Sequence, residues 1–168
     1  MNQKETTQTE SSDENNERSM RKVAGTALAG TSIEWYDFFI YGTAAALVFP
    51  TAFFPAEMPA TVALIASFST FAVGFIARPL GGVVFGHYGD RVGRKQTLVV
   101  ALLIMGAGTT MIGLLPTYES IGFFAPLLLV LLRFVQGLAI GGQWGGAMLL
   151  VTESAPSNKR GYYGAFAQ

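Results

Sequence analysis

From Gly25 onward the chain consists of long apolar runs separated by short stretches where prolines or charged residues collect. About 20 helical residues cross the ~30 Å hydrocarbon layer of a bilayer, and four runs reach that length: residues 25–49, 61–85, 96–115 and 124–151. Pro50, Pro55 and Pro59 break the first link, residues 90–95 charge the second, and residues 116–122 and 153–160 form the third and fourth. The pattern predicts an all-α membrane protein with four complete transmembrane helices. Residues 161–168 are apolar too, but would rise only about 12 Å as a helix; they read as the start of a fifth span.

Ahead of the first run, residues 1–22 are rich in Asn, Gln, Glu, Ser and Thr and offer almost nothing to bury, which predicts a disordered tail. A cleaved secretory signal would pass from a basic start directly into a short apolar core. Here an acidic tail precedes a much longer run, so no such signal is expected.

Composition sharpens this picture. The 168 residues are 51% apolar and 13% charged, about half the ~25% charge of globular chains, and nine of the charges fall in the first 22 residues. A net charge of zero gives no support for a nucleic-acid partner. The absence of cysteine excludes a disulfide scaffold, a thiol enzyme and a zinc–thiolate site, and His87 is the only histidine. Gly106 and Gly108 fail the dinucleotide-binding pattern and lie within a span. Neither a cofactor nor enzymatic activity is expected.

Basic residues set the orientation, because short cytoplasmic loops accumulate Lys and Arg. Lys4, Arg18, Arg21 and Lys22 lie in the tail, Arg91, Arg94 and Lys95 in the second link, and Lys159 and Arg160 in the fourth. The first and third links have none. This places the N-terminus in the cytoplasm and the chain in the cytoplasmic membrane.

Four charges fall inside the spans: Glu34 and Asp37 in the first, Arg78 in the second and Arg133 in the fourth. Each acid costs about 2.5–3.5 kcal/mol at a helix centre, while each Leu, Ile, Phe or Val returns about 0.3–0.6. The first span therefore balances roughly 5–7 kcal/mol of cost against roughly 2–5 of gain, and needs a partner or a wet cavity for its acids. Asp37 lies about 18 Å from the inner start of its span and Arg133 about 14 Å from the outer start of its own. Both are thus near mid-membrane. Glu34 and Asp37 share a helical face, about 60° apart, and Tyr41 continues it. A cluster of Asp37, Glu34 and Arg133 around a cavity is the leading expectation, since ionisable groups within membranes mark solute or proton pathways. A fixed structural pair between helices is the alternative. Arg78 reads equally as a solute ligand or as a structural residue on a glycine face.

Glycines recur at four-residue multiples: Gly74, Gly82 and Gly86 with Arg78 in the second run, and Gly137, Gly141 and Gly145 in the fourth. Small residues so spaced let helices approach closely in lipid. In the second link the run Gly86-His87-Tyr88-Gly89-Asp90-Arg91-Val92-Gly93-Arg94-Lys95 reads as a tight turn, with Asp90 placed to cap the next helix. His87 reads as a polar loop residue.

That last run, Gly-x-x-Gly-Asp-Arg-x-Gly-Arg-Lys, resembles the loop between helices two and three of the major facilitator superfamily. Two further stretches are similar to its metabolite:proton symporter branch, whose carriers take shikimate, alpha-ketoglutarate, citrate, and proline or betaine. One is Gly30 to Gly42, with Glu34, Asp37 and Tyr41; the other is Arg133-Phe134-Val135-Gln136-Gly137 with Gly141-Gly142-Gln143-Trp144. Arg78-Pro79-Leu80-Gly81-Gly82 ahead of the loop belongs to the same likeness.

The resemblance implies the N-terminal portion of a helix bundle that alternates between inward-open and outward-open states, coupling a proton to a small organic solute, an organic acid anion foremost. By similarity Asp90, Arg91 and Arg94, followed by Lys95, form a cytoplasmic latch, with Gly86, Gly89 and Gly93 permitting its close packing. Glu34, Asp37, Arg133, Arg78, Tyr41, Gln136 and Gln143 become the candidate coupling and solute residues. Position 143 is usually Glu in this branch, and Gln143 cannot ionise. Such carriers have two six-helix halves, so the chain is expected to need a C-terminal half and to be inactive alone. A small four-helix adaptor or homo-oligomeric pore is the alternative reading; it would require a self-sufficient C-terminus.

Overall fold

The computed structural model describes residues 2–155, 161, 162 and 165. Every regular element among them is helical: α1 (Asn2–Leu47), α2 (Phe49–Ala52), α3 (Ala60–Val92), α4 (Arg94–Gly113), α5 (Tyr118–Ile121) and α6 (Phe124–Ser154). Most of the expected fifth span falls outside the described residues; Gly161 and Tyr162 are helical. Among the described residues, three helices have a stretch long and apolar enough to cross a bilayer: Ala60–Val92, Arg94–Gly113 and Phe124–Trp144. α1 is not among them, in keeping with the unfavourable balance of its two acids.

α1 includes the polar segment, residues 2–22, for which composition alone predicts disorder. No Pro or Gly occurs before Gly25 to interrupt it.

Among the described residues α3 and α6 form the tightest contact, and glycines make it possible. A Cβ on Gly81 would overlap the Leu138 carbonyl, one on Gly137 the Gly74 carbonyl, and one on Gly141 the Arg78 carbonyl. Backbone thus meets backbone, the geometry that drives helix association where lipid is as apolar as the side chains. The contact face of α3 is Gly74, Ala77 and Gly81, all buried, rather than the expected Gly74, Gly82 and Gly86. At about 100° per residue, seven residues return to within about 20° of the starting direction, whereas eight overshoot by about 80°. Gly82 is accordingly exposed, and a Cβ on Gly86 would meet nothing within 4 Å.

The second link is shorter than its composition suggests. Residues 86–92 stay helical, and Gly93 alone breaks the path, with φ of 109°, a conformation open to glycine at little cost. Asp90 therefore does not cap α4, whose N-cap is Gly93 without a side-chain bond. Its carboxylate instead lies 3.7 Å from Arg94 across the turn.

Tyr41, Ala45, Phe49, Phe53, Ile112, Ala125 and Leu129 form a buried cluster where α1 and α2 meet α4 and α6. It fixes the end of α1 and thereby the depth at which the acids of α1 sit.

Candidate functional site

Arg133 projects from the centre of α6 and is 1% exposed. Its Nη1 donates to Asp37 Oδ2 at 2.9 Å and to Gln136 Oε1 at 3.2 Å, while its guanidinium carbon lies 3.9 Å from the centre of the Tyr41 ring. Asp37 Oδ1 accepts from the Thr109 hydroxyl at 2.5 Å, and that hydroxyl accepts from Gln136 Nε2 at 2.8 Å. Helices α1, α4 and α6 thus meet in one hydrogen-bonded ring. A buried ion pair survives only when its remaining donors and acceptors are matched in this way. One donor is left over: Arg133 Nε is buried without a partner, facing Gly74, where a Cβ would come within 2.9 Å of it. Tyr41, face-on to the cation, ties the ring to α3 through a 2.7 Å bond between its hydroxyl and that of Thr70.

Protein encloses Arg133, while Asp37, also buried, borders a cavity. Asp37 lines a cavity of about 230 Å³ with Tyr41, Phe49, Phe53, Thr109 and Ile112, far above the ~10–15 Å³ one water occupies. It extends from the carboxylate toward the corner between α1 and α2.

Glu34 does not join this ring. One turn earlier on α1, its Oε2 accepts from Trp144 Nε1 at 3.0 Å, and its Oε1 lies 3.8 Å from Arg78 Nη2, too far for a hydrogen bond. The expected three-residue cluster therefore splits into two ionic layers, Asp37–Arg133 and Glu34–Arg78. The split arises because Arg78, on α3, lies nearer Glu34 than Arg133 does. Arg78 also covers the Phe75 ring at 4.5 Å, and its side chain is 25% accessible against 2% for Arg133.

Gln143 is buried, with Oε1 unpartnered and Nε2 packed on Gly30. Of the latch residues, Arg91, Gly93, Lys95 and Asp90 are exposed, Gly89 packs loosely on Thr97, and Arg94 is partly covered. Thr109, Thr70 and Trp144 were not singled out from sequence. Thr109 left a signal, a hydroxyl in mid-span one turn from buried Met105 and Ile112; Trp144 left only its place in a motif.

Apolar helices locked through glycine and enclosing a hydrogen-bonded ion pair define a multi-pass membrane protein. Residues 22–168 match the family model described as sugar (and other) transporter, and the chain belongs to that family, within the major facilitator superfamily. It is 60% identical over 150 residues to the inner membrane metabolite transport protein YhjE of Escherichia coli K12, covering 89% of this chain and 34% of that protein. Against the shikimate transporter of the same organism it is 53% identical over 148 residues, covering 88% and 34%. With the Escherichia coli K12 proline/betaine transporter it shares 41% over 147 residues, covering 88% and 29%. The chain spans about a third of the length of these relatives. No solved structure matches it.

Proposed function

We propose that this segment carries the coupling residues of a longer proton-driven carrier of small organic solutes, with an organic acid anion as the preferred class. The observation that carries the reading is the Asp37 carboxylate, bonded to a sealed Arg133 on one side and lining a cavity on the other. A proton reaching Asp37 through that cavity cancels the charge that holds Arg133. The ring then has two states, and a solute that prefers one of them shifts the balance. Shikimate, proline and betaine, named in the relatives, all carry a carboxylate, which a guanidinium binds bidentately. Arg78 is the more accessible of the two arginines.

The test is uptake by liposomes holding a carrier of the relatives' length that contains this segment. A small carboxylate should accumulate when the outside is made acidic, and a protonophore should abolish the accumulation. Accumulation indifferent to the protonophore would refute proton coupling, and gradient-driven uptake by the 168-residue chain alone would refute its dependence on a second half.

The same reading places the N-terminus and the second link in the cytoplasm. Because the chain lacks cysteine, single replacements report sidedness directly. On intact cells a membrane-impermeant maleimide should label Glu119→Cys, in the third link, and should label His87→Cys only after permeabilisation. The reverse pattern would invert the topology.

A further inference from the structure

Away from the ion pairs, a wedge opens between α3 and α4 on either side of Gly93. It is a cavity of about 340 Å³ lined by Val84, Phe85, Tyr88 and Val92 of α3 with Gln96, Thr97 and Val100 of α4. Its rim is open to the side: Tyr88 is 59% exposed and Val92 57%. The wedge exists because a one-residue connection in extended, positive-φ geometry makes the two helices diverge.

Two features say what fills it. The first is lining. The wedge runs along the about 12 Å from Val84 to Val92, and its walls are mostly apolar side chains, a surface that a hydrocarbon chain can lie against. The second is charge. Asp90 and Arg94 face each other at 3.7 Å, whereas Arg91 and Lys95 are exposed and, among the described residues, form no ion pair. Arg91 continues the Val84–Tyr88 face of α3 at helical spacing. α4 has 20 residues, about 30 Å, the thickness of the hydrocarbon layer. Arg94 then marks the interface, the wedge occupies the adjoining apolar depth, and Tyr88 sits where aromatic residues meet headgroups.

We propose that this wedge is a binding site for one anionic phospholipid, an acyl chain between α3 and α4 and its phosphate on Arg91 and Lys95. The 168-residue chain, purified in mild detergent, is examined by native mass spectrometry with phosphatidylglycerol or phosphatidylcholine of identical acyl chains. One phosphatidylglycerol should be retained in preference to phosphatidylcholine. Combining Arg91→Gln with Lys95→Gln should cut that retention about thirtyfold, the loss expected for two cations near a membrane surface, and leave phosphatidylcholine unaffected. Val100→Trp, which fills the wedge from the α4 side, should lower retention of both lipids, with unchanged helicity confirming that the variant is folded. Equal retention of the two lipids by the parent chain would overturn the proposal. So would indifference to Val100→Trp, which would reduce the effect to surface attraction, or a change of oligomeric mass on Val100→Trp, which would make a second copy the occupant.

Discussion

Replacing Asp37 with Asn should abolish proton-driven accumulation by the full-length carrier while solute exchange across the membrane continues. The substitution keeps the shape and one acceptor oxygen for Arg133 Nη1, while its NH2 meets the Thr109 hydroxyl, which can accept and turn its own proton to the Met105 carbonyl; the site that holds a proton is lost. A gradient of one pH unit is worth about 1.36 kcal/mol per proton, about tenfold in concentration. The expected accumulation ratio therefore falls from about ten toward one, read as internal over external labelled solute. Arg133 is meanwhile left buried beside a neutral partner, and breaking a buried pair from one side costs about 3–5 kcal/mol. Loss of fold must be separated from loss of coupling. Asp37→Asn with Arg133→Gln removes both charges, so it should melt closer to the parent in detergent than Asp37→Asn alone, yet remain uncoupled. Undiminished accumulation by a folded Asp37→Asn carrier would make the ion pair a structural clasp.

The second large effect concerns packing. Gly141→Ala should destabilise the bundle by about 3 kcal/mol or more, the upper end of what overpacking costs. Its Cβ would overlap the Arg78 carbonyl and crowd the backbone nitrogen of Gly82. Backbone in a helix cannot rotate aside as a flexible side chain can, so α3 and α6 must part. Their separation also moves Arg78 relative to Glu34 and Gly74 relative to Arg133. Gly106→Ala is the control, since a Cβ there meets nothing within 4 Å and alanine favours a helix by up to about 1 kcal/mol. Unfolding in mixed micelles followed by circular dichroism should show the two substitutions shifting stability in opposite directions. Equal shifts would mean that α3 and α6 are not held by this contact.

Much of the site is legible in the sequence. Counting rises along two antiparallel spans put Asp37 and Arg133 at matching depth, and their side chains do meet, at 2.9 Å. Depth says nothing about azimuth, however. Glu34 was grouped with Arg133 because it shares a face with Asp37, yet a 60° offset and one turn of rise deliver it to Arg78 and Trp144 instead. The glycine register held for Gly74, Gly137 and Gly141 but drifted along α3 for a related reason: four-residue multiples precess around a helix with 3.6 residues per turn, so Gly81 packs most closely on α6, Gly82 lies at the margin of the contact and Gly86 lies clear of it. Asp90 was misplaced because three glycines looked like a turn, while only Gly93 leaves the helical path. Thr109 passed unnoticed, since a lone hydroxyl in an apolar run satisfies its own backbone as readily as a partner.

Sequence by itself determined that the chain is helical, that it belongs in a membrane, and which four ionisable residues needed an explanation. These follow from length, hydropathy and the cost of charge in lipid, which are properties of the residues one at a time. Only the tertiary structure decided that the four form two separate layers, that Thr109 and Gln136 complete one of them, and that a cavity reaches Asp37. Those are pairings across α1, α3, α4 and α6, set by the rotation and spacing of each helix against its neighbours, and no periodicity within one helix encodes the angle at which another meets it.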